Sequence, residues 1–189
     1  PNLAQVPQTH EFRELFTASD GKSMVAADLS GIELRMLAHY LARFDQGRYA
    51  EILLTGDIHQ TNADRIGITR RQVKTVTYAF LYGAGDKKIG TSINNTFSEE
   101  IAKRKGKEVR KAYVEAIPGL SELLSAIKTK STRGFIQAID GRKIVVDNTH
   151  KALNYLLQSS AGVLAKRWLY ITHQNKTKSA QQLAFIHDE

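Results

Sequence analysis

Arg70, Lys74, Tyr78 and Tyr82 recur every four residues in the stretch RRQVKTVTYAFLYGAG, residues 70–85. Side chains four apart on an α-helix lie nearly above one another, so the spacing predicts a single stripe roughly 18 Å long, two cations followed by two phenol rings. Cations one turn apart can span successive phosphates, and tyrosine rings can lie against a base. Val73, Val76 and Phe80 give the same helix an apolar face of its own, which leaves the stripe free for a ligand.

A second constellation is acidic. Asp28 ends the apolar run MVAADLS (24–30) and Asp188 ends LAFIHDE (183–189), so both close predicted strands that a sheet can bring side by side. Hard carboxylate oxygens suit magnesium, and two ions about 4 Å apart can activate a hydroxyl while neutralising a triphosphate. Either acid alone is an ordinary strand terminus. Ser30 and Glu33 form S-x-x-E ahead of an apolar helix, a capping box in its own right, and His59 in GDIH reads equally as a first-turn residue.

The elements that must position these groups follow from pattern and punctuation. GIELRMLAHYLARF after Asp28 carries a helical apolar face through Leu37, Tyr40, Leu41 and Phe44. Asp57 is a good N-cap for a further helix; the stripe's helix begins around Thr69 and ends at Gly83 and Gly85. Residues 98–131 read as mainly helical with a break at Pro118-Gly119, and their basic run KRKGKEVRK (103–111) reads as a solvated face in preference to a specific DNA contact. Asp140-Gly141 between two β-prone runs signals a hairpin, and a long helix is predicted from Lys151 to about Thr172.

Composition narrows the class. With 189 residues, 42% of them hydrophobic, and a net charge of +8, the chain can pack a core and favours a polyanionic partner. It has no cysteine, which excludes disulfide frameworks and thiolate zinc sites and fits a reducing compartment. No apolar run approaches the roughly 20 residues of a membrane helix, and nothing resembles a signal peptide. A proline at residue 1 and a predicted strand running to residue 189 make the sequence read as an internal piece of a longer protein.

Taken in order, DLSGIELR (28–35), RRQVKTVTYAFLYG (70–83) and IHDE (186–189) resemble motifs A, B and C of the family A DNA polymerases. PNLAQVP at the start, GDIH, DGRK and ALNYLLQSSAG resemble further blocks of that family, so the resemblance covers nearly the whole chain. LARFD, FLYGAGDKKIG and LNYLLQSSAG are most similar to the replicative polymerases of short-tailed bacteriophages.

The resemblance implies an α+β fold, a right-hand polymerase palm with an antiparallel sheet and helical fingers, truncated at both ends. It divides the chain into a first part of the palm at 1–55, fingers at 56–133, and a hairpin, palm helix and motif C strand at 134–189. It implies template-directed DNA synthesis from dNTPs on primer-template DNA with two Mg²⁺ ions, in phage replication within the cytoplasm of an infected bacterium. A processivity factor would be encoded elsewhere, and no membrane is involved.

Residue by residue, the resemblance makes Asp28, Asp188 and the Leu29 carbonyl the metal ligands, with Glu189 in support. Arg70, Lys74 and His59 become phosphate ligands, Lys74 with a catalytic role; Tyr78 lies against the sugar and base, and Glu33 crowds a ribose 2′-hydroxyl. Tyr82 and Gly83 fall at the templating position, Asn154 and Gln158 touch template and primer, and Asn2, Gln5, Arg142 and His187 are further DNA contacts. Ala4-Gln5-Val6 and Ala79 depart from the usual family residues.

Two rivals remain at this level. A single-subunit RNA polymerase usually lacks the Glu33 equivalent and typically ends motif C in HDS, and a catalytically dead DNA-binding descendant would not need both aspartates. With motif C at the last residues and no thumb, the 189 residues alone are expected not to polymerise.

Overall fold

The computed structural model describes residues 6, 7 and 9–186. Two compact units divide the chain, one of residues 1–32 with 161–189 and the other of residues 33–160.

The second unit is built around helices whose ends match their sequence signals. Helix α2 (Ile32–Asp45) buries Leu34, Leu37, Ala38 and Leu41 and ends at Asp45, whose carboxylate accepts from the Gly47 and Tyr49 amides at 2.8 Å each and so starts α3 (Arg48–Thr55). Phe44, expected on the buried face, is 40% exposed; its Cβ lies against the turn at Gly119, where an added Cβ would come within 2.7 Å of it. Asp57 caps α4 (Ile58–Ile66). Thr69 and Gln72 form a reciprocal capping box on α5 (Arg70–Leu81). Gly83, at φ +71°, carries the chain out of α5 in a conformation that disfavours any residue with a Cβ.

Helices α6 (Asp86–Ile93) and α7 (Glu99–Ala116) form the most intimate pair. A Cβ on Gly90 would lie 1.9 Å from the Ala102 carbonyl oxygen, and one on Gly106 would lie 1.8 Å from that of Asp86, so the backbones touch. Arg110 of α7 clamps the entry to α6 through Asp86 Oδ1 at 2.6 Å and the Ala84 carbonyl, and lies 5.7 Å from the Phe80 ring centre. The basic run thus divides: Lys103, Arg104 and Lys107 are on the solvated face expected of them, while Gly106 and Arg110 are structural.

Pro118-Gly119 breaks the chain before α8 (Leu120–Ser131). Strands β1 (Phe135–Gln137) and β2 (Lys143–Val145) then pair antiparallel, Ile136 opposite Ile144, around the Asp140-Gly141 turn. A 3₁₀ turn (Thr149–Lys151) leads into α9 (Ala152–Asn175), three residues longer at its C-terminus than expected.

The first unit holds the short helix α1 (His10–Arg13), a segment without regular secondary structure through residues 22–29, and the end of the chain. After α9 the backbone turns so that Gln182 donates to the Leu169 carbonyl at 3.3 Å and lies 2.9 Å from His173.

The fold is therefore α+β, rich in helix with a small antiparallel sheet, as expected, but two strand assignments are corrected. Residues 24–30 and 183–186 form no strand, and 187–189 lie outside the described residues. Strands persist through ladder bonds and cross-strand side-chain pairs. Among the described residues neither segment has a ladder partner, and Val25 is 90% exposed. No helix among the described residues is long and apolar enough to cross a membrane.

Candidate functional site

Helix α5 presents two faces. Val73, Val76, Thr77, Phe80 and Leu81 are buried, whereas Arg70 and Lys74 are exposed, Tyr78 is partly buried and Tyr82 is 53% exposed. The stripe read from the spacing exists as a physical surface.

At its N-terminal end Arg70 Nε donates to Asp57 Oδ2 at 2.7 Å. The other oxygen of the same carboxylate accepts from the His59 and Gln60 amides at 3.0 Å each. The Gln60 amide and Arg70 together hold the Asp57 carboxyl below the usual carboxylate range. His59 is buried and its ring centre is 6.2 Å from that of Tyr78. Burial, then the charges of Arg70 and Lys74, push its imidazole below the ordinary histidine value against the opposing pull of Asp57. His59 is accordingly neutral at pH 7 and can share hydrogen bonds with an anion that the two cations attract. Its Nδ1 is buried with no hydrogen-bond partner among the described residues.

At the C-terminal end the Tyr82 hydroxyl donates to Glu33 Oε1 at 2.7 Å, and Gln158 Nε2 donates to the same oxygen at 3.3 Å. Partial burial and this bond raise the Tyr82 phenol to about 12, so it stays protonated and a donor. Glu33 lies in the first turn of α2, yet this oxygen serves α9 and the end of α5. A Cβ on Gly83 would sit 3.6 Å from Lys151 Cγ, which brings the turn after α5 against the start of α9. Asn154 stands one turn before Gln158, partly buried.

The structure thus gathers Asp57, His59, Arg70 and Tyr78 at one end of the stripe and Glu33, Tyr82 and Gln158 at the other. It does not bring Arg142 to them; that side chain pairs with Asp140 at 2.8 Å in its own hairpin turn. Asp28 is exposed on the irregular segment of the first unit with Leu29 beside it, and Asn2, Gln5, His187, Asp188 and Glu189 lie outside the described residues. No group of three or more metal-ligating side chains occurs among the described residues.

The sequence blocks can now be set against known proteins. The model of DNA polymerase family A matches residues 1–189, the whole chain. The chain belongs to DNA polymerase family A.

Within the family it is 37% identical to a DNA-directed DNA polymerase of Enterobacteria phage T3 and 36% identical to that of Escherichia phage T7, in each case over 100% of this chain and 31% of the relative. The chain therefore spans about a third of the length of these relatives. Among solved structures, the POL domain of Pol1 from M. smegmatis, in complex with DNA primer-template and dNTP, superposes with a TM-score of 0.73 at 23% identity, covering 100% of this chain and 37% of that one. It has the same fold.

Sequence reasoning identified Asp57 only as a cap; its bond to Arg70 spans thirteen residues and two helices, a distance no local pattern encodes. It also missed Tyr49, Asn62, Thr77 and Tyr113, whose hydroxyl and amide groups are buried, Thr77 on the inner face of α5 itself, with burial raising the Tyr113 phenol to about 12. Tyrosine and threonine at helical spacing carry no mark that separates a buried polar cluster from a ligand face.

Proposed function

We propose that this chain forms the fingers and part of the palm of a DNA-directed DNA polymerase that adds deoxynucleotides to a primer 3′-hydroxyl in phage replication, inside the infected bacterium. The observation that carries the reading is the α5 stripe, in which exposed Arg70 and Lys74 and a buried His59 against Tyr78 stand at one end and a tyrosine bound to Glu33 stands at the other. A deoxynucleoside triphosphate matches it: phosphates toward Arg70, Lys74 and His59, sugar and base along Tyr78.

On this reading residues 1–55 and 134–189 belong to the palm with its hairpin and long helix, and residues 56–133 are the fingers. The primer hydroxyl attacks the α-phosphate and pyrophosphate leaves. Arg70 and Lys74 bind the phosphates with charge-assisted bonds that strengthen as charge moves onto the leaving group, and Lys74 is suited to meet that charge. Tyr78 orients the sugar. Glu33, held by Tyr82 and Gln158, stands as a fixed wall against a 2′-hydroxyl. Tyr82 and Gly83 meet the templating base, and Asn154 and Gln158 steady the primer-template, with Asn2, Gln5, Arg142 and His187 as outer DNA contacts.

Asp28, the Leu29 carbonyl and Asp188 offer the hard oxygen set that suits two Mg²⁺ ions, which would lower the pKa of the attacking hydroxyl and offset phosphate charge. The exposed Asp28 carboxylate is compatible with that role.

The test is extension of a primed template by the complete polymerase. Magnesium-dependent extension that Asp28→Ala abolishes, with DNA binding retained, is the expected result, because affinity for DNA rests on many phosphate contacts. Absence of extension by the complete wild-type protein would mark it as a DNA-binding descendant, and near-normal extension by Asp28→Ala would remove that residue from the site.

A further inference from the structure

Asp57 is bonded to two helices at once. Its Oδ1 accepts from the His59 and Gln60 amides at 3.0 Å each, fixing the first turn of α4, while its Oδ2 accepts from Arg70 Nε at 2.7 Å at the first turn of α5. An N-cap needs only one acceptor atom, and serine and asparagine supply it as well as aspartate does. The second oxygen is left over from the capping role, and the negative charge adds to it only a modest interaction with the helix N-terminus. Stability does not explain them either, because the Arg70 and Asp57 side chains are 52% and 44% exposed and an ion pair so exposed adds little.

What the bond does achieve is geometric. Arginine is a long side chain whose ordering costs rotamer freedom, and at the start of α5 Arg70 is exposed to solvent. Holding it by Nε leaves the N–H groups of both terminal nitrogens as a fork, the part that matches two phosphate oxygens. The same carboxylate positions the His59 backbone, so the fork and the imidazole are referred to one group.

We propose that Asp57 is a positioning residue for the nucleotide: it pre-orients the Arg70 guanidinium toward the triphosphate and sets it in register with His59. The inference rests on the reading of the α5 stripe as the triphosphate site. It makes Asp57 act through Arg70 and lowers the ordering cost of binding.

Asp57→Asn and Asp57→Ser each keep a capping acceptor and remove the charge. In the complete polymerase each should raise KM for dNTP about tenfold, with kcat changed much less and the unfolding midpoint lowered only modestly by the charge lost at the start of α4, since pre-orientation serves binding. In an Arg70→Ala background the same substitutions should have no further effect on KM, because the residue they act through is gone.

The proposal is overturned by an unchanged KM, or by a lowered one, which would make Asp57 a competitor of the phosphates for Arg70. It is also overturned if the Asp57 effect persists undiminished with Arg70→Ala, since Asp57 would then act through the cap. If Arg70→Ala by itself leaves dNTP use unaltered, the triphosphate reading of the stripe falls, and the two failures are thereby told apart.

Discussion

Along α5, Arg70, Lys74 and Tyr82 stand clear of the core, whereas in the neighbouring α6–α7 hairpin backbone meets backbone at Gly90 and Gly106. The two regions share an edge, since Arg110 of α7 reaches both Asp86 and the Phe80 ring on the buried face of α5. One region keeps its side chains available, and the other closes backbone on backbone at its two glycines, with no side chain between to move. The difference shows how a helix can hold exposed charges in a fixed direction: its apolar face is seated against an element that cannot yield.

If that division holds, substitutions should separate cleanly into losses of chemistry and losses of stability. Lys74→Ala should carry the largest effect, a fall in kcat/KM for dNTP of about 10²–10³-fold, the usual consequence of removing one donor aimed at developing charge. Because Lys74 is exposed, thermal unfolding of the variant should match the wild type. A parallel loss of stability would show that the stripe takes part in the core after all.

Gly106→Ala should do the reverse. A methyl group 1.8 Å from the Asp86 carbonyl oxygen forces the two helices apart, at a cost of about 2 kcal/mol or more from overpacking even after alanine's helix propensity returns up to about 1 kcal/mol. Denaturant titration measures this directly. Should Gly106→Ala be neutral, the hairpin is not the rigid seat described above.

How much of this the sequence disclosed depends on range. Thr69, Asp57, Pro118-Gly119 and Asp140-Gly141 act within a few residues, and each stands where its local chemistry predicts. The two faces of α5 were legible because helical period is itself local. Gly90 and Gly106 were not, since in isolation a mid-helix glycine reads as a weakness, and only the opposing backbone gives it a purpose. The Asp57–Arg70 and Glu33–Tyr82 bonds were hidden for the same reason: each joins residues from separate helices. The segments around Asp28 and residue 183 were misread as strands because apolar content signals β-propensity, whereas a strand also needs a partner.

A smaller effect sharpens the comparison at the other end of the stripe. Tyr82→Phe removes one of the two donors to Glu33 Oε1 and should cost about 1 kcal/mol, given the partly exposed bond. If Glu33 is a wall against the 2′-hydroxyl, loosening it should also raise the kcat/KM ratio of ribonucleotide to deoxyribonucleotide, and Glu33→Ala should raise it further. An unchanged ratio in Glu33→Ala would leave Glu33 a purely structural acceptor.

The smallest expected effect is a titration. His59 is held below the ordinary histidine value of about 6.5 by burial and by Arg70 and Lys74. Between about pH 6.5 and that lower value the unfolded chain binds more protons at this site than the folded one, so stability should fall as pH drops through the window and level off below it. A bound polyphosphate would place negative charge beside the imidazole and raise its pKa, because it offsets the two cations that depress it. Following the His59 ring by NMR with and without inorganic tripolyphosphate tests both signs. A free-state value at or above 6.5 would contradict the cationic, buried surroundings described here. A value that polyphosphate leaves unmoved would place the anion away from His59, and with it the phosphate end of the stripe.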